Sequence, residues 1–409
     1  MRVFQACSYL AVGLIALAPI EPALAQDDEQ NVGVQERARP EYDPLGLRFG
    51  GFDLNASLEV NAEHVDNLFA APADSQSDMI YTVAPQATLT SHWSRHAVVV
   101  SAGGASNQHD EFDSEDYSTG YVSGYGRLDI GDSTQVSGTV RLSHEVEPRT
   151  DPGSFQTLSE PVRYDHQDAS ISAQHTMNRF RLSGTVSAAN YNYDDAGAVD
   201  QDFRDHTEDS ITGRVEVAVS PRLSIVGSVT GDKRDYDNAP TLSSDGRTIL
   251  AGVRLDLTNL IRGEFTVGQF SQDYDVGGTV DGTAIAGNLE WFVTGLTTVT
   301  LNAHRDVQEA TATTATPYVD SRWSVRVDHE FLRNLLVSGD IGYEKRKFEP
   351  PVVREDETEY ADAEIKYLVN RRVALRLAYA HERNDSSGTP DPQRDFDVNR
   401  IIAGIIFRL

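Results

Sequence analysis

The sequence predicts an all-β protein, a closed antiparallel transmembrane β-barrel of about 18 strands, with 16 as the runner-up. Three observations predict it. Segments with a two-residue apolar/polar period fill residues 51–409, and no segment has a helical period. Short turns recur on a beat of about forty residues and alternate with longer polar loops. The chain closes on Gly404-Ile-Ile-Phe-Arg-Leu409, an alternating segment with an aromatic residue third from last.

In that last segment Ile401, Ala403, Ile405, Phe407 and Leu409 share one face. The pattern resembles the signal by which Gram-negative outer-membrane barrels are recognised by the barrel assembly machinery, with Gly404, Phe407 and Leu409 as its candidate residues. The usual pattern has a polar residue two before the glycine; here it is Ile402.

Met1–Ala25 reads as a secretory signal peptide: Arg2 gives a positive start, Tyr9–Ala18 an apolar run, and Ala23-Leu24-Ala25 a small-x-small cleavage site. Cys7, the single cysteine, lies inside it, so the mature chain is expected to have no disulfide and no cysteine metal site. Residues 26–50 are acidic, contain Pro40 and Pro44 and lack apolar periodicity, which predicts a disordered or extended segment on the periplasmic side. Residues 51–409 are the barrel.

The net charge of −28 and the absence of any basic cluster exclude a nucleic-acid partner. Mean hydropathy is −0.41, and no apolar run reaches the roughly 20 residues of a membrane helix. A barrel is compatible with both, because lipid meets only every second residue.

Tight turns are expected near Trp93–His96, Ile130–Ser133, Met177–Arg179, Ser220–Arg222, Thr258–Ile261, Thr294–Leu296, Leu332–Asn334 and Asn370–Arg372. Polar segments such as Gln108–Asp116, Pro148–Pro161, Asp194–Gln201 and Asp385–Arg394 lie at the other end. Short periplasmic turns and long outer loops are the asymmetry of outer-membrane barrels. Eight tight turns give about sixteen strands, and Phe52–Val65 with the terminal strand raises that to about eighteen. Tyr191, Tyr193, Tyr236, Tyr274, Tyr343 and Tyr379 recur near the outer ends, where an interfacial aromatic girdle is expected.

Arg39-Pro-Glu-Tyr-Asp-Pro-Leu-Gly-Leu-Arg-Phe-Gly50 is followed by Phe52-Asp-Leu, Asp66-Asn-Leu-Phe69, Ser77-Asp-Met-Ile80 and Trp93-Ser-Arg-His96. This opening resembles that of the outer-membrane proteins called putative β-barrel porin type 2. The resemblance implies an outer-membrane barrel, in a family often found beside exopolysaccharide production and export. It carries over no catalytic residue.

Charge on the lipid face costs about 2–4 kcal/mol per basic group at the midplane, so charged residues on the strands are assigned to the lumen. The candidates are Arg141, Arg181, Arg214, Glu216, Arg254, Asp256, Arg322, Arg326, Asp328, Glu330, Asp340 and Arg376. Opposite signs often lie two residues apart, which suits either a self-neutralised wall or a field that sorts solutes. Pro148–Pro161 is the third and longest outer loop. Folded inward, it would turn at Asp151-Pro-Gly153 and carry Arg149, Asp151 and Glu160 into a constriction; a plain exposed loop is the competing reading. The acidic loop Asp110–Asp116 lacks the glycine and final glutamate of a calcium-binding EF-hand. No His-Glu-x-x-His, Gly-x-Ser-x-Gly or P-loop is present, and the eleven histidines are scattered.

The expected function is a porin-like passive channel for small hydrophilic solutes or saccharides, tied by the resemblance to exopolysaccharide export, with no cofactor and no catalysis. Its partners would be outer-membrane lipid and lipopolysaccharide, with an oligomer in the manner of general porins. The alternatives are an occluded accessory barrel that engages an envelope or polysaccharide-secretion partner, and a barrel enzyme acting on lipid or surface polymer.

Overall fold

The computed structural model describes residues 32–151, 158–257, 260–308, 316–350, 352–389 and 394–409. The described residues contain no α-helix. After a three-residue strand, β1 (Leu47–Phe49), come β2 (Phe52–Val65), β3 (Asp78–Ser91), β4 (Ala97–His109), β5 (Tyr117–Ile130), β6 (Thr134–Val146) and β7 (Arg163–Met177). β8 (Phe180–Tyr193), β9 (His206–Ser220), β10 (Leu223–Tyr236), β11 (Ser244–Leu257), β12 (Ile261–Tyr274) and β13 (Gly278–Thr294) follow. The chain ends with β14 (Thr297–Gln308), β15 (Tyr318–Leu332), β16 (Leu335–Phe348), β17 (Val353–Leu368), β18 (Val373–Thr389) and β19 (Phe396–Arg408).

Each of β2 to β19 pairs antiparallel with the next, and β19 returns to β2 through register pairs from Arg400↔Val65 to Arg408↔Ser57. The result is a closed barrel of eighteen strands. Closure follows from the solvent: an open edge would leave backbone N–H and C=O groups unpaired in hydrocarbon. β1 pairs with Phe52–Leu54 of β2 while β3 occupies the other edge at those residues. It therefore fills the strand position beneath the end of β19. Gly46 turns the chain into β1 at φ +64°, where a Cβ would meet the Leu54 carbonyl oxygen at 2.8 Å.

All eight expected tight turns fall between paired strands, although Thr258 and Asn259 of one lie outside the described residues. The segment expected to be a loop from Asp385 is instead strand as far as Thr389, with Asp385 opposite Glu357. There the ladder rises beyond the apolar band, both faces become polar, and the alternation that marks a strand disappears.

Outward residues such as Ile171, Ile211, Val229, Ile341 and Ile401 are exposed, as a lipid-facing surface requires. Outward aromatics, among them Trp291, Trp323, Tyr367, Tyr379 and Phe407, gather on β12 to β19. The tyrosine girdle needs correction. Tyr343 and Tyr379 face outward, but Tyr191, Tyr193, Tyr236 and Tyr274 are buried on the inner side. His166, Tyr191, His206 and Tyr236 stack ring on ring across β7 to β10 with centroids 4.4, 4.6 and 4.7 Å apart. In-register inner positions on neighbouring strands bring these rings to stacking distance, so aromatic contact outweighs the membrane interface as their partner.

Candidate functional site

Closing the sheet turns one parity of every strand inward, and within the apolar band that parity carries the strand charges. Arg214 on β9 reaches over two strands to Glu264 on β12 and donates two hydrogen bonds, 2.8 and 2.6 Å long. Arg181 on β8 and Arg254 on β11 approach Glu216 from either side, at 3.4 and 3.6 Å. Thus Arg214 and Glu216, two residues apart in sequence, each take partners on other strands. Arg326 and Asp328, spaced the same way, do pair with one another, at 3.0 Å.

Arg322 joins Glu344 at 2.8 Å and Asp320 at 3.3 Å. Arg376 bridges Glu364 at 2.7 Å and Glu59 at 2.9 Å, all three buried beneath the β18–β19–β2 seam. Arg141 lies 4.4 Å from the centroid of the Tyr121 ring and 3.6 Å from Glu145. Asp256 stands opposite Arg262 in register, but Arg262 is ion-paired with Glu290 and Glu36. Asp340 stands directly opposite Asp362. Among the described residues, Asp168, Asp232, Asp306, Asp340 and Asp362 have no cationic side chain within ion-pair distance. The inner wall is therefore a lattice of cross-strand pairs with a surplus of carboxylate.

The described residues at both ends of the third outer loop pack among neighbouring loops. Glu147, Arg149, Thr150, Asp151, Leu158 and Val162 are all buried. Arg149 donates to Glu115 of the second loop at 2.6 and 3.0 Å, and its guanidinium lies over Phe69 of the first. Arg204 of the fourth loop clasps Glu147 with both terminal nitrogens and lies 3.9 Å from the centroid of the Tyr193 ring. Arg394 of the ninth loop donates to the Asp151 carbonyl oxygen at 2.6 Å. Leu158 and Val162 pack with Ala196 on Tyr164, Tyr191 and Tyr193, at one end of the ring stack.

Arg149 and Asp151 thus lie in one buried loop cluster. Glu160 stands apart, half exposed and ion-paired to Arg163 at 3.3 Å. The turn expected at Asp151-Pro-Gly153 lies outside the described residues beyond Asp151. Burial pushes the Glu147 carboxyl above the usual carboxylate range, with the Arg204 charge opposing the shift. For Arg204 burial works against the charge, but Glu147 outweighs it and raises the guanidinium above its ordinary value. Burial, and then the neighbouring Arg354, pushes Arg394 down to about 10.

At the short-turn end, residues 32–43, in the segment expected to be disordered or extended, lie in turns against the inner wall. The Val34 amide donates to Thr298 Oγ1 at 3.1 Å, and Gln35 donates to Ser338 Oγ at 2.8 Å. Arg39, 3% exposed, is ion-paired to Glu330 at 2.8 Å, and Tyr42 packs against Leu368, Ala374 and Ile406. Sequence reasoning missed this contact because the segment has no apolar period. The usable signal was chemical: Arg37 and Arg39 precede a barrel rich in inward carboxylates.

Gly404, on the inner face of β19, lies against Asn61, and a Cβ there would come 1.9 Å from Asn61 Oδ1. Phe407 and Leu409 face outward, and the Leu409 amide donates to the Ala56 carbonyl at 2.9 Å.

No curated protein matches the sequence. Among solved structures the chain is similar to the copper transporter OprC, at 8% identity over 89% of this chain and 82% of that one, with a TM-score of 0.50. It is also similar to Pseudomonas aeruginosa OpdL (14% identity, 88% and 100% coverage, TM-score 0.45). Pseudomonas aeruginosa OccK2 matches at 12% identity, 87% and 98% coverage and a TM-score of 0.47. At these identities the likeness concerns the fold alone. The model of the family described as Putative beta-barrel porin 2 matches residues 39–409, so the chain belongs to that family and is a porin-like barrel of the outer membrane.

Proposed function

We propose that the chain is a passive, cation-preferring diffusion channel for small hydrophilic solutes, narrowed near its outer mouth by the third loop. The observation that carries this reading is the surplus of inward carboxylate without cationic partners at Asp168, Asp232, Asp306, Asp340 and Asp362. Fixed charge in a low-dielectric conduit concentrates counter-ions and repels co-ions, so the wall favours cations and neutral polar solutes such as saccharides over anions. The paired residues brace the wall, and one-to-one pairs such as Arg214–Glu264 add little net field. Arg149 and Asp151 ride on the loop that sets the outer width. No step calls for a nucleophile, a cofactor or an energy source.

The test is planar-bilayer recording of the purified chain in a salt gradient. Steady ohmic steps with a reversal potential displaced toward that of the cation are expected. Anion preference would overturn the charge reading, and silence would overturn the channel. The second reading, an occluded accessory barrel, draws its support from the segment at the inner mouth, and silence is its expected outcome.

A further inference from the structure

From its place across the inner mouth, we infer that residues 32–43 are a built-in restrictor of this channel, latched by the Arg39–Glu330 ion pair. The inference rests on the pore reading above and adds a moving part to it.

The segment runs along the short-turn ends of the strands from β12 to β19. Glu36 meets Arg262 at the start of β12 at 3.6 Å, and Arg37 donates to the Gly295 carbonyl in the β13–β14 turn. Arg371, in the β17–β18 turn, donates two hydrogen bonds to the Pro40 carbonyl, and Tyr42 ends the run on Ile406 of β19. That path passes eight of the eighteen strands, β12 through β19, so it lines close to half of the rim of the mouth.

The way it is held separates a latch from a core. Apart from Val34 and Tyr42 the contacts are polar, made to side chains and turn carbonyls that water could serve after release. Arg39 and Glu330 are the exception. They are 3% and 4% exposed, and Arg39 also donates to the Val34 carbonyl at 2.7 Å, which locks the segment's own turn. Burial lowers the Arg39 guanidinium from its ordinary value, with Glu330 opposing the shift. Arg37 at 3.8 Å and Arg333 at 3.5 Å also face Glu330, but Arg39 makes its short buried contact, so loss of either member of that pair loosens the segment. Residues 44–46 then carry the chain into β1, which is paired to β2 and fixes that end of the hinge.

The experiment is single-channel recording of the full chain as wild type, Arg39→Ala, Glu330→Gln and Arg39→Ala carrying the cysteine pair Val34→Cys/Thr298→Cys. Boiled and unboiled gel mobility verifies that each barrel is closed. With that arc of the rim cleared, unlatched channels should conduct more than wild type. In the Arg39→Ala background the oxidised double cysteine channel should keep wild-type conductance, and reduction should raise it to that of Arg39→Ala alone. Wild-type steps that are unchanged in both latch variants overturn the inference and leave the pore intact. A silent wild type with conducting latch variants supports restrictor and pore together, whereas silence throughout overturns both.

Discussion

Replacing Arg204 by Leu isolates the pair that ties the start of the third loop to the fourth. Glu147 is 1% exposed and Arg204 3%, so solvent screening removes little from the interaction. The substitution leaves a buried carboxylate without its bidentate partner and removes the guanidinium from the Tyr193 ring. Breaking a buried pair in this way costs about 3–5 kcal/mol, which raises the open fraction of the loop by roughly two to three and a half decades. The Arg149–Thr150 bond reports the opening, because both residues are buried when the loop is docked. Tryptic cleavage there, followed by fragment mass and normalised to an unstructured peptide, should accelerate by about that factor while opening stays fast relative to cleavage.

The pH dependence has a definite sign. Burial raises the Glu147 carboxyl in the docked loop, so the docked state binds the proton more tightly than the open one. Docking of the Arg204→Leu loop is therefore strongest below the ordinary carboxylate range and is lost as pH rises through the raised value. Normalised cleavage should be faster at pH 8 than at pH 5. Adding Glu147→Gln removes the stranded charge and should return the rate most of the way to wild type. A rate within threefold of wild type in Arg204→Leu, or no recovery in the double variant, would refute the reasoning.

Changing Asp340 and Asp362 together to Asn removes two unpaired charges from the wall and should lower the cation-to-anion permeability ratio by roughly twofold to tenfold, read from reversal potentials. Arg376→Leu leaves Glu59 without its cation and Glu364 with only Lys366 at 3.8 Å, and should destabilise the closed barrel by about 3–5 kcal/mol, seen as a lower temperature for the gel-mobility shift. Gly268→Ala places a Cβ 1.7 Å from the Ile249 carbonyl oxygen, which is backbone and cannot swing aside. The same assay should show a loss of about 1–3 kcal/mol.

Strand parity was legible because lipid imposes a strict rule on every second residue. The same rule that set Ile401 and Phe407 outward set Arg376 and Glu364 inward. The tight turns were legible through their polar breaks. What sequence could not supply was the third dimension of the lumen. Tyr191 and Tyr236 obey the inner parity, yet their types suggested an interface; only the lateral register, which brings His206 between them, shows the stack. The partner of Glu147 is likewise hidden, because Arg204 lies far along the chain in a loop with no period. Residues 32–43 carry no pattern of their own, since their order is borrowed from Glu330, Ser338 and Thr298 on strands formed much later in the chain.

The small strand β1 has a consequence for anyone shortening this protein. It donates and accepts along the edge of β2 that β19 leaves bare below Ser57, so the weld between the first and last strands is finished by a patch from upstream. Trimming back to Gly50 would take that patch away with the restrictor and leave Phe52–Leu54 with unmet amides at the rim. A leaky truncated barrel would then report a frayed joint, and only substitutions that spare Leu47–Phe49 can tell an unlatched mouth from an opened wall.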